Sequence, residues 1–378
     1  MRRLQANSKS EVLASRSESG EIWPGSWFKE QSEKMRVLLH DNQLCERGTT
    51  TSMMDYARVL RTAGHDVEIS YWKESHANVP AIISLIGEEF RLLPHSNRFQ
   101  VPKEASSFDA AYFIKAGGDD GLIAPGVHTL VHVVFQQYEP HGSRYAYISQ
   151  WLADSMRDQV MDRNGRELGL PLLGATAKAA GCENALDFTA LELIVNIAIP
   201  EVGVRSQLGI PEEAFVILRF GGIDTFDLVW AQETVVRLLE ENRDWYFIGL
   251  NTEQFTEHPR ARFIPMVMDP VEKASVIAAS DVFLTARGQG EAFGVAIVEA
   301  LQIGIPVLAW KGGTDRNHVH LLAGLGGLFN KPWDLRMKLR RIAKGKDPAS
   351  VKARKERGDR YRPNVVAPEL EALLNANS

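Results

Sequence analysis

Hydrophobic positions along this chain alternate between two periods, which predicts strands and helices in turn. From Met35, the run Arg-Val-Leu-Leu-His has the continuous apolar character of a strand buried on both faces. A polar stretch from Asp41 to Thr51 follows, with Gly48 inside it. Apolar residues then recur at helical spacing from Ser52 to Thr62, with Met53, Tyr56, Ala57 and Leu60 on one face and Gly64 as the stop. Asp66 to Trp72 reads as the next strand, so the first unit is a parallel βαβ. Further strands are predicted at 109–115, 129–135 and 145–149, with a helix from Gln150. In the second half they fall at 215–220, 245–250, 262–264, 282–285 and 306–309. The segment Leu191 to Pro200 reads as the crossing between two domains. The predicted class is α/β: two doubly wound domains, 35–196 and 197–330, facing a cleft. Residues 1–34 form a polar flexible arm whose apolar cluster is Trp23, Pro24, Trp27 and Phe28, and 331–378 form a basic helical extension.

Composition narrows the class. A length of 378 residues suits two domains with extensions. With 44% hydrophobic and 24% charged residues, the chain has the balance of a globular protein. Cys45 and Cys182 provide neither a disulfide framework nor a zinc spacing, so a reducing, cytoplasmic location is expected. No apolar run approaches the roughly 20 residues of a membrane helix, and Arg2 and Arg3 are not followed by the apolar stretch of a signal peptide. A net charge of −5 argues against a general nucleic-acid binder. The tail is dense in Lys and Arg, and 334–343 has an amphipathic pattern. This pattern reads as a solvated helical face or as a peripheral contact with an anionic membrane surface.

The chemistry concentrates between Gly288 and Gly313. A glycine-rich loop, Gly-Gln-Gly-Glu-Ala-Phe-Gly, runs into an apolar helix placed from about Phe293, which ends at Gly304 before the strand Pro-Val-Leu-Ala. The N–H groups of Ala292, Phe293 and Gly294 at the start of that helix suit an anion. Glu291 and Glu299 flank them and suit hydroxyl groups. An anion between two hydroxyl-bearing groups describes a sugar nucleotide. Three glycine loops converge on the expected cleft, around Gly48, at Gly221-Gly222 and at Gly288–Gly294, because ligands in such sheets bind beyond the C-terminal strand ends.

The string Glu291 to Glu299, Gly304-Ile305-Pro306-Val307 and Gly312-Gly313, preceded by Ala278 to Leu284, resembles the E-x7-E region of retaining GT-B glycosyltransferases, most like glycosyltransferase family 4. The resemblance covers the C-terminal half well and the N-terminal half more loosely. It implies the GT-B fold of two Rossmann-like domains. It also implies a sugar transfer from a nucleoside diphosphate donor to a glycan, lipid-linked or protein acceptor, with no further cofactor. By resemblance, Glu291 and Gly290 serve the donor sugar, Glu299 the ribose, and Met266 and Val267 the base. A histidine of the first domain, His141 or His132, would reach the donor sugar, with His40 a weaker candidate. His132 reads equally as a core histidine.

One departure stands out. The family pattern places an arginine and then a lysine after the Gly221-Gly222 loop, where this chain has Ile223-Asp224-Thr225-Phe226-Asp227. Asp224 or Thr225 suits the N-cap of a helix starting near Phe226, but neither can neutralise a diphosphate. Arg287, Arg219, Lys311, Arg47 and Lys115 are the candidate replacements, Arg287 first. Gly117, Gly118 and Asp119 are candidates for the acceptor. The Asp119-Asp120 pair lacks the Asp-x-Asp form of a metal-dependent nucleotide-sugar site, so no metal is expected. Two alternatives stay open: a non-transferase nucleotide-sugar enzyme of this fold (an epimerase or phosphorylase), or a catalytically silent binding protein.

Overall fold

The computed structural model describes residues 33–45, 47–169 and 171–375. All but the last two residues of the expected N-terminal arm, including its aromatic cluster, lie outside the described residues. Seven strands form the first sheet: β1 Arg36–Asp41, β2 Asp66–Trp72, β3 Arg91–His95, β4 Ala110–Lys115, β5 His128–Val133, β6 Arg144–Tyr147 and β7 Thr189–Ala190. Their order is β3-β2-β1-β4-β5-β6-β7, and every pairing is parallel. The second sheet contains β8 Phe215–Phe220, β9 Trp245–Leu250, β10 Ala261–Ile264 and β11 Val282–Thr285. After the short β12 Gly290–Glu291 come β13 Val307–Trp310, β14 Asp315–Arg316 and β15 Leu328–Phe329. The order is β10-β9-β8-β11-β13-β15, again all parallel, and β12 pairs with β14 as a separate ribbon.

Both sheets are doubly wound. Strand order reverses between β1 and β4 in one and between β8 and β11 in the other, which opens a crevice at the C-terminal strand ends. The loop leading to Gly48 and the loop carrying Gly117 leave β1 and β4. Those carrying Gly221 and Gly288 leave β8 and β11. The central strands explain why the parallel arrangement holds: β4 and β8 are buried at every residue, as strands covered on both faces must be.

Several elements differ from the sequence reading. The helix Gly48–Thr62 starts four residues before Ser52, since its first turn buries a polar residue, Thr50, that bonds to Asp41 (2.9 Å). The helix Pro80–Glu89 and strand β3 were not foreseen. β3 reads Arg-Leu-Leu-Pro-His, and its proline is tolerated because β3 is an edge strand. The helix expected near Phe226 runs Val229–Glu241 with Leu228 at its N-cap and no side-chain cap, so neither Asp224 nor Thr225 fills that role.

The basic extension folds onto the body as three helices. Pro332–Ala343 buries Leu335 and Leu339 in the second domain's core, while Arg336 and Arg340 both reach Glu241 at 2.7 Å. Trp333 and Met337 remain exposed. Val351–Gly358 packs on the helix Val295–Ile303, where the buried Arg354 donates to the Gly304 carbonyl (2.6 Å). Pro363–Leu374 returns to the first domain and lies against the helix Gly48–Thr62 and strand β5. Among the described residues, no helix is long and apolar enough to cross a membrane.

This returning helix is a strap between the domains, and Leu370 on it is fully buried. Leu370→Ala is expected to lower stability by about 2–5 kcal/mol, the range for a truncated core leucine, measured by urea denaturation. A loss within about 0.5 kcal/mol, the surface range, would show the strap to be undocked in solution.

Candidate nucleotide-sugar site

The motif region folds in three steps. Gly290 takes φ +80°, and a Cβ there would collide with the Asp315 carbonyl, so the ribbon of β12 and β14 requires glycine. Gly294 takes φ +99° as the N-cap of the helix Val295–Ile303, which begins two residues later than expected from Phe293. The N–H groups of Ala292, Phe293 and Gly294 therefore precede the helix instead of opening it. None of them donates to a protein acceptor among the described residues. Ser149 Oγ, from the first domain, donates to the Ala292 carbonyl (2.8 Å), and Asn317 Nδ2 donates to the Phe293 carbonyl (2.7 Å). The loop is held by its carbonyls, and its N–H groups stay open.

Arg219 is the most unusual group nearby. Its side chain leaves the C-terminal end of β8 and is 1% exposed. Nη2 donates to Thr225 Oγ1 (2.5 Å), while Nε and Nη1 have no partner among the described residues. Gly221 (φ +139°) lies over the guanidinium, and a Cβ there would stand 2.8 Å from Nη1. Burial lowers the Arg219 pKa to about 10, with Glu291 opposing, Arg287 adding and Asp227 opposing. Arg287 Nη1 pairs with Glu291 Oε2 at 3.1 Å. Burial raises the Glu291 carboxyl above its usual range, and Arg287 and Arg219 hold it down. Asp227 Oδ1 accepts from Gly288 N (2.7 Å), which fastens the Gly288 loop beside the Gly221 loop. Two arginines and one glutamate thus meet where the sequence lacks its expected basic pair, and Gly222 lies in the same loop. Lys311 is exposed immediately after β13, and Arg47 is exposed just before Gly48.

Glu299 sits in the second turn of the motif helix and is 8% exposed. Its Oε1 accepts from Lys273 Nζ at 2.5 Å, a contact the sequence did not disclose because the residues lie on different helices. Asp55, on the helix Gly48–Thr62 of the first domain, lies within electrostatic reach of this pair. Met266 and Val267 follow β10; Met266 is exposed and Val267 half-buried. Gly48 is the first residue of its helix, exposed and without strain, so it offers a helix N-terminal N–H and not a glycine loop.

The histidines need correction. His132 is fully buried; Nδ1 meets Tyr112 Oη (2.7 Å) and Nε2 donates to the Leu191 carbonyl (2.8 Å). Burial lowers its pKa to about 4. With both nitrogens used, it is a core histidine with no route to a donor sugar. His141 is 8% exposed; Nδ1 donates to the Glu139 carbonyl (2.7 Å), leaving Nε2 to accept from Lys115 Nζ (2.9 Å). Its lone pair is thereby occupied, and burial and Lys115 lower its pKa. His40 packs at a tilt against the rings of His95 and Phe113 in the same domain, and burial lowers its pKa to about 3. Lys115 also bonds to Asp120 and to the Leu122 carbonyl (3.0 Å). It is therefore removed as a phosphate ligand. Asp119, Asp120 and His141 offer atoms within 4.8 Å of one another, but the Lys115 ammonium already bonds to two of the three. Gly117, Gly118 and Asp119 do lie at the C-terminal end of β4. Gly117 takes φ +123° with its carbonyl held by Tyr145 Oη (2.6 Å), and Asp119 is exposed.

Across the crevice, Gln136 Nε2 from the first domain bonds to Asp315 Oδ1 (2.8 Å), whose other oxygen accepts from Gln289 Nε2 (3.2 Å). Known structures show which fold carries this arrangement. HepE of Anabaena, in complex with UDP and glucose, superposes with a TM-score of 0.61 at 16% identity, covering 90% of this chain and all of that one. A glycosyltransferase of Rickettsia africae gives 0.58 at 13% identity, over 92% of this chain and all of that one. WaaG, a glycosyltransferase involved in lipopolysaccharide biosynthesis, gives 0.54 at 14% identity, over 90% of this chain and all of that one. The fold is GT-B. No family model matches the sequence, and no curated protein matches it.

Asp55 supplies a pH test of the cleft. Burial pushes its carboxyl up to about 7, with Arg58 opposing and Glu299 adding to the rise. The folded chain keeps this proton over a range where the unfolded chain, with an Asp near 3.9, has lost it. Its contribution to stability is therefore full below about pH 4 and is lost as pH rises through about 7. Asp55→Asn cannot ionise. It is expected to melt higher than the parent at pH 8 and at the same temperature at pH 4, by scanning calorimetry at both values.

Proposed function

We propose that this GT-B protein is a retaining glycosyltransferase that moves a sugar from a nucleoside diphosphate donor to an acceptor hydroxyl, without a metal. One observation carries the reading. A buried guanidinium, Arg219, keeps two donor nitrogens unpartnered directly beneath the Gly221 loop. A buried donor without an acceptor costs about 1–3 kcal/mol, more when charged, so a group built this way answers to an anion. Arg287 stands beside it and the open N–H groups of Ala292, Phe293 and Gly294 follow in the same loop. Together they replace the absent basic pair as a diphosphate clamp. HepE's complexes with UDP and with UDP-glucose make UDP the natural first nucleotide to try.

Bound donor would exchange the internal pairs for ligand. Arg287 turns from Glu291 to phosphate, which frees Glu291 for sugar hydroxyls. Glu299 shares Lys273 with the ribose hydroxyls, while Met266 and Val267 border the base. As the glycosidic bond to phosphate breaks, charge gathers on the leaving diphosphate oxygen, and the fixed guanidinium and N–H groups are aimed at that charge. No protein nucleophile is assigned; the leaving phosphate takes the proton of the acceptor hydroxyl. Gly117, Gly118 and Asp119 would meet the acceptor from the first domain.

Arg219→Met is expected to weaken UDP binding about 10- to 100-fold, the equivalent of about 1.5–3 kcal/mol, while uridine affinity stays unchanged. The variant should melt no lower than the parent without nucleotide, because the substitution removes a buried charge that the protein compensates only in part. Calorimetry with both ligands decides it, and equal losses for UDP and uridine would refute the clamp. Sugar transfer, assayed with the best donor found, is expected to persist in excess EDTA. Loss in EDTA that magnesium or manganese restores would overturn the metal-free reading.

A further inference from the structure

A cavity of about 310 Å³ is lined by residues of both domains and of the tail. Trp151 and Glu192 line it from the first domain and the crossing segment. His320, Arg357 and Arg360 line it from the second domain and the tail, with Tyr361 beside them. None of these residues belongs to the cluster around Arg219 and Glu291.

The cavity is polar and its polar groups are open. The Arg360 guanidinium, the His320 imidazole and the Trp151 indole N–H make no hydrogen bond or ion pair among the described residues. Glu192 Oε1 accepts from Gln150 N (2.9 Å), but its Oε2 is buried without a partner. Arg357 is fixed by the carbonyls of His320 (3.0 Å) and Leu321 (2.7 Å), so its position does not depend on a ligand. Two guanidiniums against one carboxyl favour an anion. A half-buried indole suits the apolar face of a sugar ring. The volume falls at the lower end of the range of small-ligand sites.

The cavity also touches the motif loop. Asn317, which lines it, donates to the Phe293 carbonyl, and the Tyr361 ring packs edge-on against Phe293 at 5.4 Å. Both chain crossings between the domains meet here, because Val195 N donates to the Tyr361 carbonyl (2.8 Å). We propose that this cavity is a second ligand site, for a small anionic carbohydrate of the sugar phosphate class, coupled through Phe293 to the loop that faces the nucleotide. The binding stands on the cavity alone; the coupling rests on the nucleotide reading above. By linkage, any change the ligand makes in nucleotide affinity is returned by the nucleotide.

The test is calorimetry on the full chain with glucose 6-phosphate, using inorganic phosphate and glucose as partial probes. Glucose 6-phosphate is expected to saturate one site, at least about tenfold tighter than either partial probe. Arg360→Ala, an exposed substitution, and Trp151→Ala should each weaken it about tenfold or more and leave UDP affinity within about twofold. Saturating glucose 6-phosphate should shift UDP affinity in the parent and not in Arg360→Ala. No saturation by about 10 mM, or binding that survives both substitutions, would overturn the site. So would binding abolished by Arg219→Met, which would place the probe in the donor crevice. A chain that binds glucose 6-phosphate through Arg360 and does not bind UDP would uphold the second site while sinking the glycosyltransferase reading.

Discussion

The buried guanidinium of Arg219 is the constraint around which the crevice of the second domain is arranged. A charge taken from water needs compensation close by. Thr225 supplies a hydrogen bond and Glu291 and Asp227 supply charge from two loops. Each compensating group also fixes a piece of backbone. Asp227 holds the Gly288 loop, Glu291 holds Arg287, and Gly221 must lack a side chain to lie over the guanidinium. The compensation is incomplete, since two nitrogens stay open. In a close-packed interior, such a deficit points to function.

A fully paired side chain, by contrast, joins the two domains. Gln302, nearly buried at the C-terminal end of the motif helix, accepts from Ile197 N (3.1 Å). Its amide nitrogen donates to the carbonyls of Val195 (2.8 Å) and Gly358 (3.1 Å). One side chain thus binds both interdomain crossings to the helix that carries Glu299. The returning strap, Pro363–Leu374, adds apolar burial against the first domain. The domains share one hydrophobic cluster as a consequence. The crevice and the cavity are shaped by the same few backbone segments.

Hydrophobic patterning carried most of the architecture. Strands β2, β8, β9 and β11 match their expected bounds, and the doubly wound order follows from right-handed crossovers once strands and helices alternate. What escaped was irregular in pattern: an edge strand interrupted by Pro94, a helix turn built on the buried Thr50, and two-residue strands too short to show a period. The motif glutamates and glycines were legible because their chemistry is local, a loop entering a helix. Lys273 was not, because its meeting with Glu299 spans two helices.

By itself, the sequence determined that two α/β units would form and that a glycine-rich, glutamate-flanked loop would stand at a C-terminal strand end. Period, glycine placement and chain order contain that information. Tertiary structure decided which polar groups were left open. His141 in its loop and His132 in its strand were both candidates for the donor sugar, yet packing gave both nitrogens of each a partner. Arg219 was one of five candidate replacements for the basic pair, ranked behind Arg287, yet its depth and the loop above left it two free donors. Whether a side chain is satisfied depends on neighbours brought from distant segments, and no local pattern records them.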